Sequence, residues 1–376
     1  MLRGGIPIGK VFGIELRLHY SWFIVFILVT WALAFDYFPS IYPAWSMATR
    51  LTAGLVTSLL LFSTLMGHEL MHSIIAQTRG IPVKSITLFI LGGVSQITKE
   101  PQAPQDELRI AAAGPLTSLV FGGISLAIWF GTRGSSGVGS VVNAIAFWLG
   151  WTNVVLAVFN LIPGFPLDGG RVLRAILWWQ KRDLRRATRI ASNAGRGVGY
   201  IFIFIGILLV FQGFWPNGLW LALIGWFMES AAVSSYRQVA LQDILQGHTA
   251  SEVLTRECST VPPGLTIQQL VNERILTTGG RCFPVVAGDR ALGLITLHDV
   301  RAIPRDLWNT KTVSDAMIPL EKAEPVSPQE DLSKVMQILT EKDIEQIPVV
   351  EDGRIVGTVG RDNLLAFVKL RTDLGM

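Results

Sequence analysis

Between Leu18 and Ser235 the chain is divided into apolar stretches of roughly bilayer length, at Leu18–Phe35, Leu51–Gln77, Leu108–Phe130, Val141–Ile162, Gly199–Gly213 and Leu219–Ser235. A helix needs about 17–25 such residues to cross the hydrocarbon core, where its backbone must satisfy its own hydrogen bonds. The spacing therefore predicts six transmembrane helices, although the last two stretches are short or rich in glycine. Half of the 376 residues are hydrophobic and 16% are charged, which suits an α-helical polytopic membrane domain with a soluble appendage. The first stretch ends near Ala32-Leu33-Ala34, which looks a little like a signal-peptide cleavage site. It exceeds the usual signal length, and Trp22 and Trp31 near its ends read as interfacial anchors, so it is expected to be retained.

The basic residues set the expected orientation. Arg3, Lys10 and Arg17, then Arg79, Lys84, Lys99 and Arg109, then Arg171, Arg174 and the residues from Lys181 to Arg196 flank the stretches on one side, against Arg50 and Arg133 on the other. By the positive-inside rule both termini face the cytoplasm, the natural setting being a cell membrane. The net charge of +4 comes from these loops, so no nucleic-acid partner is expected, and the run Lys181–Arg189 is expected to meet anionic lipid headgroups. Cys258 and Cys282 fall in the part assigned to the reducing cytosol and read as free thiols.

Within the second stretch lies His68-Glu69-Leu70-Met71-His72. Residues four apart share a helix face, so both imidazoles can reach one metal ion while Glu69 stands beside them as a base. A buried hydrogen-bond cluster is the structural alternative; ionisable groups at membrane depth favour function. Two histidines leave a zinc site one protein ligand short. The segment from Asn160 to Arg171 has two prolines and three glycines, which break helical bonding, and it carries Asp168. His19 reads as an interfacial side chain, and Glu229 as either a group lining water access or one that snorkels outward.

The H-E-x-x-H together with Asn160-x-x-Pro163-x-x-x-x-Asp168-Gly169 resembles the site-2 protease family of intramembrane zinc metalloproteases. The resemblance implies that His68, His72 and Asp168 hold one Zn2+ per chain, that Glu69 is the catalytic general base, and that Asn160 holds substrate or stabilises the developing oxyanion. A helix cap or turn is the alternative for Asn160. The implied activity is hydrolysis of a peptide bond in or near the transmembrane segment of a membrane-bound regulatory protein. Ser85–Ile97, β-prone and with Gly92-Gly93 at its centre, reads as a re-entrant hairpin. Its edge is a candidate for holding substrate extended, the alternative being that it closes the core. Gly114-Pro115, with Ala111, Ala112 and Ala113, reads as a small-residue packing face.

After Arg237 an internal repeat of about 63–64 residues begins: Thr249-Ala250-Ser251-Glu252 matches Thr312-Val313-Ser314-Asp315, and Phe283-Pro284-Val285-Val286 matches Ile347-Pro348-Val349-Val350. It resembles a tandem pair of CBS domains with an α/β fold. The expected division is a membrane domain over 1–237, a linker over 238–243, and repeats over 244–306 and 307–371. The resemblance implies an adenine nucleotide (ATP, ADP or AMP) as regulatory ligand, with Thr296 and Asp299 at the more complete site and Gly360 and Asn363 in the equivalent positions of the second copy. A homodimer through these pairs, without ligand, is the alternative. A CBS-regulated transporter or channel with a non-catalytic metal site is the competing function; it has no need of Glu69 beside the first histidine.

Overall fold

Six helices long and apolar enough to cross a membrane run through the described part of the chain. They are α1 (Tyr20–Ile41), α2 (Met47–Thr78), α3 (Pro104–Gly131), α4 (Val138–Asn160), α6 (Leu184–Phe211) and α7 (Trp215–Leu245), with a shorter helix α5 (Asp168–Lys181) between the fourth and fifth crossings. The structure is a computed structural model that describes residues 5–90, 92–97, 101–255, 259–280, 282–288, 290–320, 322–342, 344, 346–352 and 354–374. Arg3, Leu91, Lys99 and Cys258 lie outside the described residues. The chain divides into two compact units, Met1–Arg237 and Gln238–Met376.

In the first unit α3 touches α2, α4 and α5 and so stands at the centre of the bundle. Small residues let the backbones close up: Ala111, Ala113, Gly114, Ser118 and Gly122 are among the buried positions of α3. The outer faces carry the large apolar side chains, among them Ile27, Leu28, Leu116, Val120 and Phe204, all exposed as a lipid-facing surface requires. Trp22 departs from its expected anchoring role, being buried against Phe26 and Phe62.

A four-stranded sheet in the order β1-β2-β3-β4 completes this unit, from β1 (Gly5–Val11), β2 (Ile14–His19), β3 (Val83–Phe89) and β4 (Gly92–Ile97). The expected hairpin over Ser85–Ile97 is present as β3 and β4, paired from Phe89↔Gly92 to Val83↔Ile97. The sequence did not predict β1 and β2, whose link to β3 is parallel, from Glu15↔Ser85 to Leu18↔Leu88. Ile14, Ile81, Val83 and Ile86 bury the sheet against Ala76 of α2 and Ile110 of α3. β4 is left at the edge of the sheet.

The fifth crossing begins earlier than its apolar run suggests, at Leu184 rather than Gly199. Arg182 ends α5 in the left-handed conformation, and the Asp183 carboxylate accepts the backbone N–H of Arg186 at 2.8 Å, starting the next helix at once. Glu229 of α7 is paired with Arg196 of α6 at 3.5 Å and accepts from the Tyr200 hydroxyl at 3.3 Å.

The second unit has the expected α/β character, but its packing crosses the repeat boundaries. Residues 238–243, expected as a linker, are helical and belong to the last turns of α7. Leu245 and Ala250, from the start of the first repeat, are buried with Val326, Leu332, Val335, Ile347 and Val359 of the second. Conversely, Val313 is buried with Val261, Phe283, Val285 and Ile295 of the first. The backbone fixes this exchange: Thr255 pairs with Thr358, and Ile318–Pro319 adds a third strand beside Arg290–Thr296. Cys282 is buried in the strand Cys282–Ala287.

Candidate metal centre

Helix α2 carries His68, Glu69 and His72 in its last third, about 9–15 Å from its C-terminal end at 1.5 Å per residue. The four-residue spacing brings the two imidazoles together, with their Nε2 atoms 3.2 Å apart, and both side chains are buried. Asp168, the first residue of α5, places its Oδ2 3.2 Å from Nε2 of His68 and 3.1 Å from Nε2 of His72. A tetrahedral ion with bonds of about 2.0–2.1 Å separates its ligand atoms by about 3.3–3.4 Å, so this triangle has nearly the size of one face of such a shell.

The far side of each ring is held by α3. Nδ1 of His72 lies 2.6 Å from the carbonyl oxygen of Ile110; a carbonyl only accepts, so Nδ1 donates there, and Nε2 is the nitrogen turned to the triangle. Nδ1 of His68 meets the hydroxyl of Ser118 at 2.9 Å. Gly114, between these two contacts, faces the rings so closely that a Cβ there would stand 2.1 Å from His72 Nε2 and 2.6 Å from His68 Nε2. The Gly114-Pro115 stretch, read from sequence as general packing, thus has a particular cause in the space the imidazoles occupy. Two imidazoles and one carboxylate aimed at a common point form a donor set that fits zinc.

Asp168 reaches this point because the chain leaves α4 at Asn160 and turns through 161–167. The turn is closed by bonds from the Leu167 N–H to the Gly164 carbonyl and from the Phe165 N–H to the Ala191 carbonyl of α6. The Asp168 side chain keeps 14% exposure against 3% and 5% for the histidines. Asn160 is the half-buried last residue of α4.

Glu69 reaches β4. Its Oε2 accepts from the Ser95 hydroxyl at 3.2 Å, and the Ser73 hydroxyl lies 3.2 Å from Ser95 Oγ and 3.1 Å from the Glu69 carbonyl oxygen. Gly93 gives the carboxylate room, since a Cβ there would be 2.3 Å from Glu69 Cγ, whereas Gly92 has open space around its Cα and serves the turn. Ser73, Ser95 and Ser118 were not singled out by sequence. The only signal for Ser118 was its spacing of four residues from Gly114.

In the second unit Thr296 and Asp299 engage each other. The Thr296 N–H and hydroxyl both donate to Asp299 Oδ2, at 2.8 and 2.7 Å, as a capping box for the helix Leu297–Arg301. In the second copy the Gly360 N–H donates to Asn363 Oδ1 at 2.9 Å, and Asn363 Nδ2 donates to the Thr255 hydroxyl at 3.0 Å.

Comparison with known proteins places the chain. Peptidase family M50 matches residues 56–146 and 134–206, and the CBS domain matches 250–306 and 313–370. Zinc metalloprotease MJ0392 of Methanocaldococcus jannaschii is 30% identical over 98% of this chain and 98% of its own. The provisionally named zinc metalloprotease sll0528 of Synechocystis is 34% identical over 97% of this chain and 95% of its own. Among solved structures, the site-2 protease from Methanocaldococcus jannaschii is similar at 31% identity, covering 62% of this chain and 95% of that one with a TM-score of 0.43. With end-to-end relatives at this identity and six apolar helices ahead of a CBS pair, the chain belongs to the site-2 protease family of multi-pass membrane zinc metalloproteases, peptidase family M50.

Proposed function

We propose that His68, His72 and Asp168 hold one zinc ion and that Glu69 moves the proton in hydrolysis of a peptide bond within or beside the transmembrane segment of a membrane-bound regulatory protein. The observation that carries this reading is the convergence of two imidazole Nε2 atoms and one carboxylate oxygen, with both Nδ1 atoms engaged by α3. When bound, zinc supplies Lewis acidity and makes water a nucleophile near neutral pH. Glu69, next to the first ligand, takes the proton from the attacking water and delivers it to the leaving amine. β4, at the sheet edge beside Glu69, is suited to hold an unwound substrate segment by strand addition, with open space at Gly92 and with Gly93 against the Glu69 side chain as the candidate substrate contacts. Asn160 is assigned to substrate or to the developing oxyanion.

Regulation is assigned to the CBS pair, through an adenine nucleotide at the repeat carrying Thr296 and Asp299. Bound nucleotide would have to compete with, or add to, their capping bonds. The expected setting is the cell membrane with both termini cytoplasmic, and the pair offers a surface for a homodimer.

Zinc content of detergent-purified protein tests the centre without a known substrate. About one zinc per chain is expected in the wild type, with loss in His68→Ala and Asp168→Ala and retention in Glu69→Gln. A wild-type protein that neither contains nor takes up zinc would overturn the assignment.

A further inference from the structure

Helix α3 supplies no ligand, yet four of its residues at successive spacings of three, four and four meet the centre or the helix that completes it. These are Glu107, Ile110, Gly114 and Ser118, one stripe of a helix face. Ile110 and Ser118 hold the two imidazoles and Gly114 clears their space. Glu107 takes the remaining position: its carboxylate accepts from Nε of Arg174 at 2.6 Å and again from a terminal nitrogen of the same guanidinium. Arg174 lies on α5, six residues after Asp168, and its guanidinium also sits over the ring of Phe165, three residues before Asp168, at 5.2 Å. Both charges are buried, Glu107 at 1% and Arg174 at 6% exposure.

A buried ion pair is a weak device for stability, because desolvation offsets most of the attraction. What it adds over an apolar contact is direction and register. We infer that Glu107 and Arg174 are a positioning pair for Asp168. They fix the start of α5 and the turn before it against the same helix that orients His68 and His72, so that the carboxylate arrives where the two Nε2 atoms point. This rests on the reading of His68, His72 and Asp168 as the zinc ligands.

The test is zinc affinity of the full-length protein in detergent, measured by competition with a chromophoric chelator, beside thermal unfolding of the metal-free protein. Arg174→Gln and Glu107→Gln are each expected to weaken zinc by about 10–100-fold, the usual effect of losing an outer partner. In an Asp168→Ala background, Arg174→Gln is expected to add no further loss, because its effect passes through that carboxylate. Wild-type affinity in the Gln variants, or the same loss with and without Asp168, overturns the inference while leaving the metal centre standing; a general weakening of the fold would lower the unfolding temperature and leave zinc affinity alone. Should the Gln variants not fold, Glu107→Asp keeps both charges but draws the pair apart by a methylene. Weaker zinc binding there supports the inference, and wild-type affinity overturns it. If Asp168→Ala itself binds zinc as the wild type does, the ligand assignment fails instead.

Discussion

At the scale of single residues the centre depends on what is left out as much as on what is present. Gly114 has no side chain because the imidazoles fill the space, so Gly114→Ala is expected to cut zinc content to below about a tenth of wild type, measured by metal analysis of the folded protein. Ser95 has the opposite character, as a small group that must be present. Its hydroxyl is the donor to Glu69 Oε2, and Ser95→Ala is expected to lower kcat about tenfold with little change in KM, the worth of one such hydrogen bond. Ser95→Thr should retain most of the rate; an unchanged kcat in the alanine variant would remove Ser95 from the account. The histidines and Glu69 were legible because their relation is local, one helical turn. Ser95 and Ser118 were not, because 26 and 50 residues separate them from the groups they touch, and no spacing says which serine of many will meet α2.

At the scale of elements, apolar length alone located all six crossings, since a span carries its own signal. The strands β1 and β2 carried none: Glu15 finds its partner in Ser85 only when the sheet forms. The start of α6 was hidden for a related reason, in that a cap and a polar helical turn precede the apolar part. Caps in the second unit also make its stability depend on pH. The N–H of Thr249, helped by His248, lowers the pKa of Glu252, and the N–H and hydroxyl of Thr312 lower that of Asp315. A carboxylate whose folded pKa is depressed stabilises fully above its unfolded value of about 4, and the effect is lost as pH falls through the folded pKa. Acidification below about pH 4 is therefore expected to loosen residues 238–376, as amide exchange would report. The Glu252→Gln, Asp315→Asn double variant is expected to show a shallower dependence, and an equally steep one would discount these caps.

At the scale of the whole molecule, the division into a membrane unit and a repeat unit was visible in composition, whereas the exchange of segments between repeats was not. Leu245 and Ala250 precede the core they enter by some 75–115 residues, as their contacts with Val326 and Val359 require, and a repeat read along the chain cannot show a trade between its copies. The distribution of Lys and Arg leads to one prediction at this scale. In a chain with both native cysteines replaced by serine, Ser136→Cys between α3 and α4 should react with a membrane-impermeant thiol reagent in intact cells, while Gln102→Cys should not. The reverse pattern would invert the topology.

The 100-residue interval between His68 and Asp168 also governs the birth of the enzyme. On the proposed ligand set, a chain still entering the bilayer carries two imidazoles and a base but no third donor. The donor comes into place only after the fourth crossing is complete and the turn at 161–167 has brought α5 back against α3. On that ligand set a protease made among other newly inserted proteins lacks a complete centre until its chain has been made past Asp168 and α5 has packed against α3.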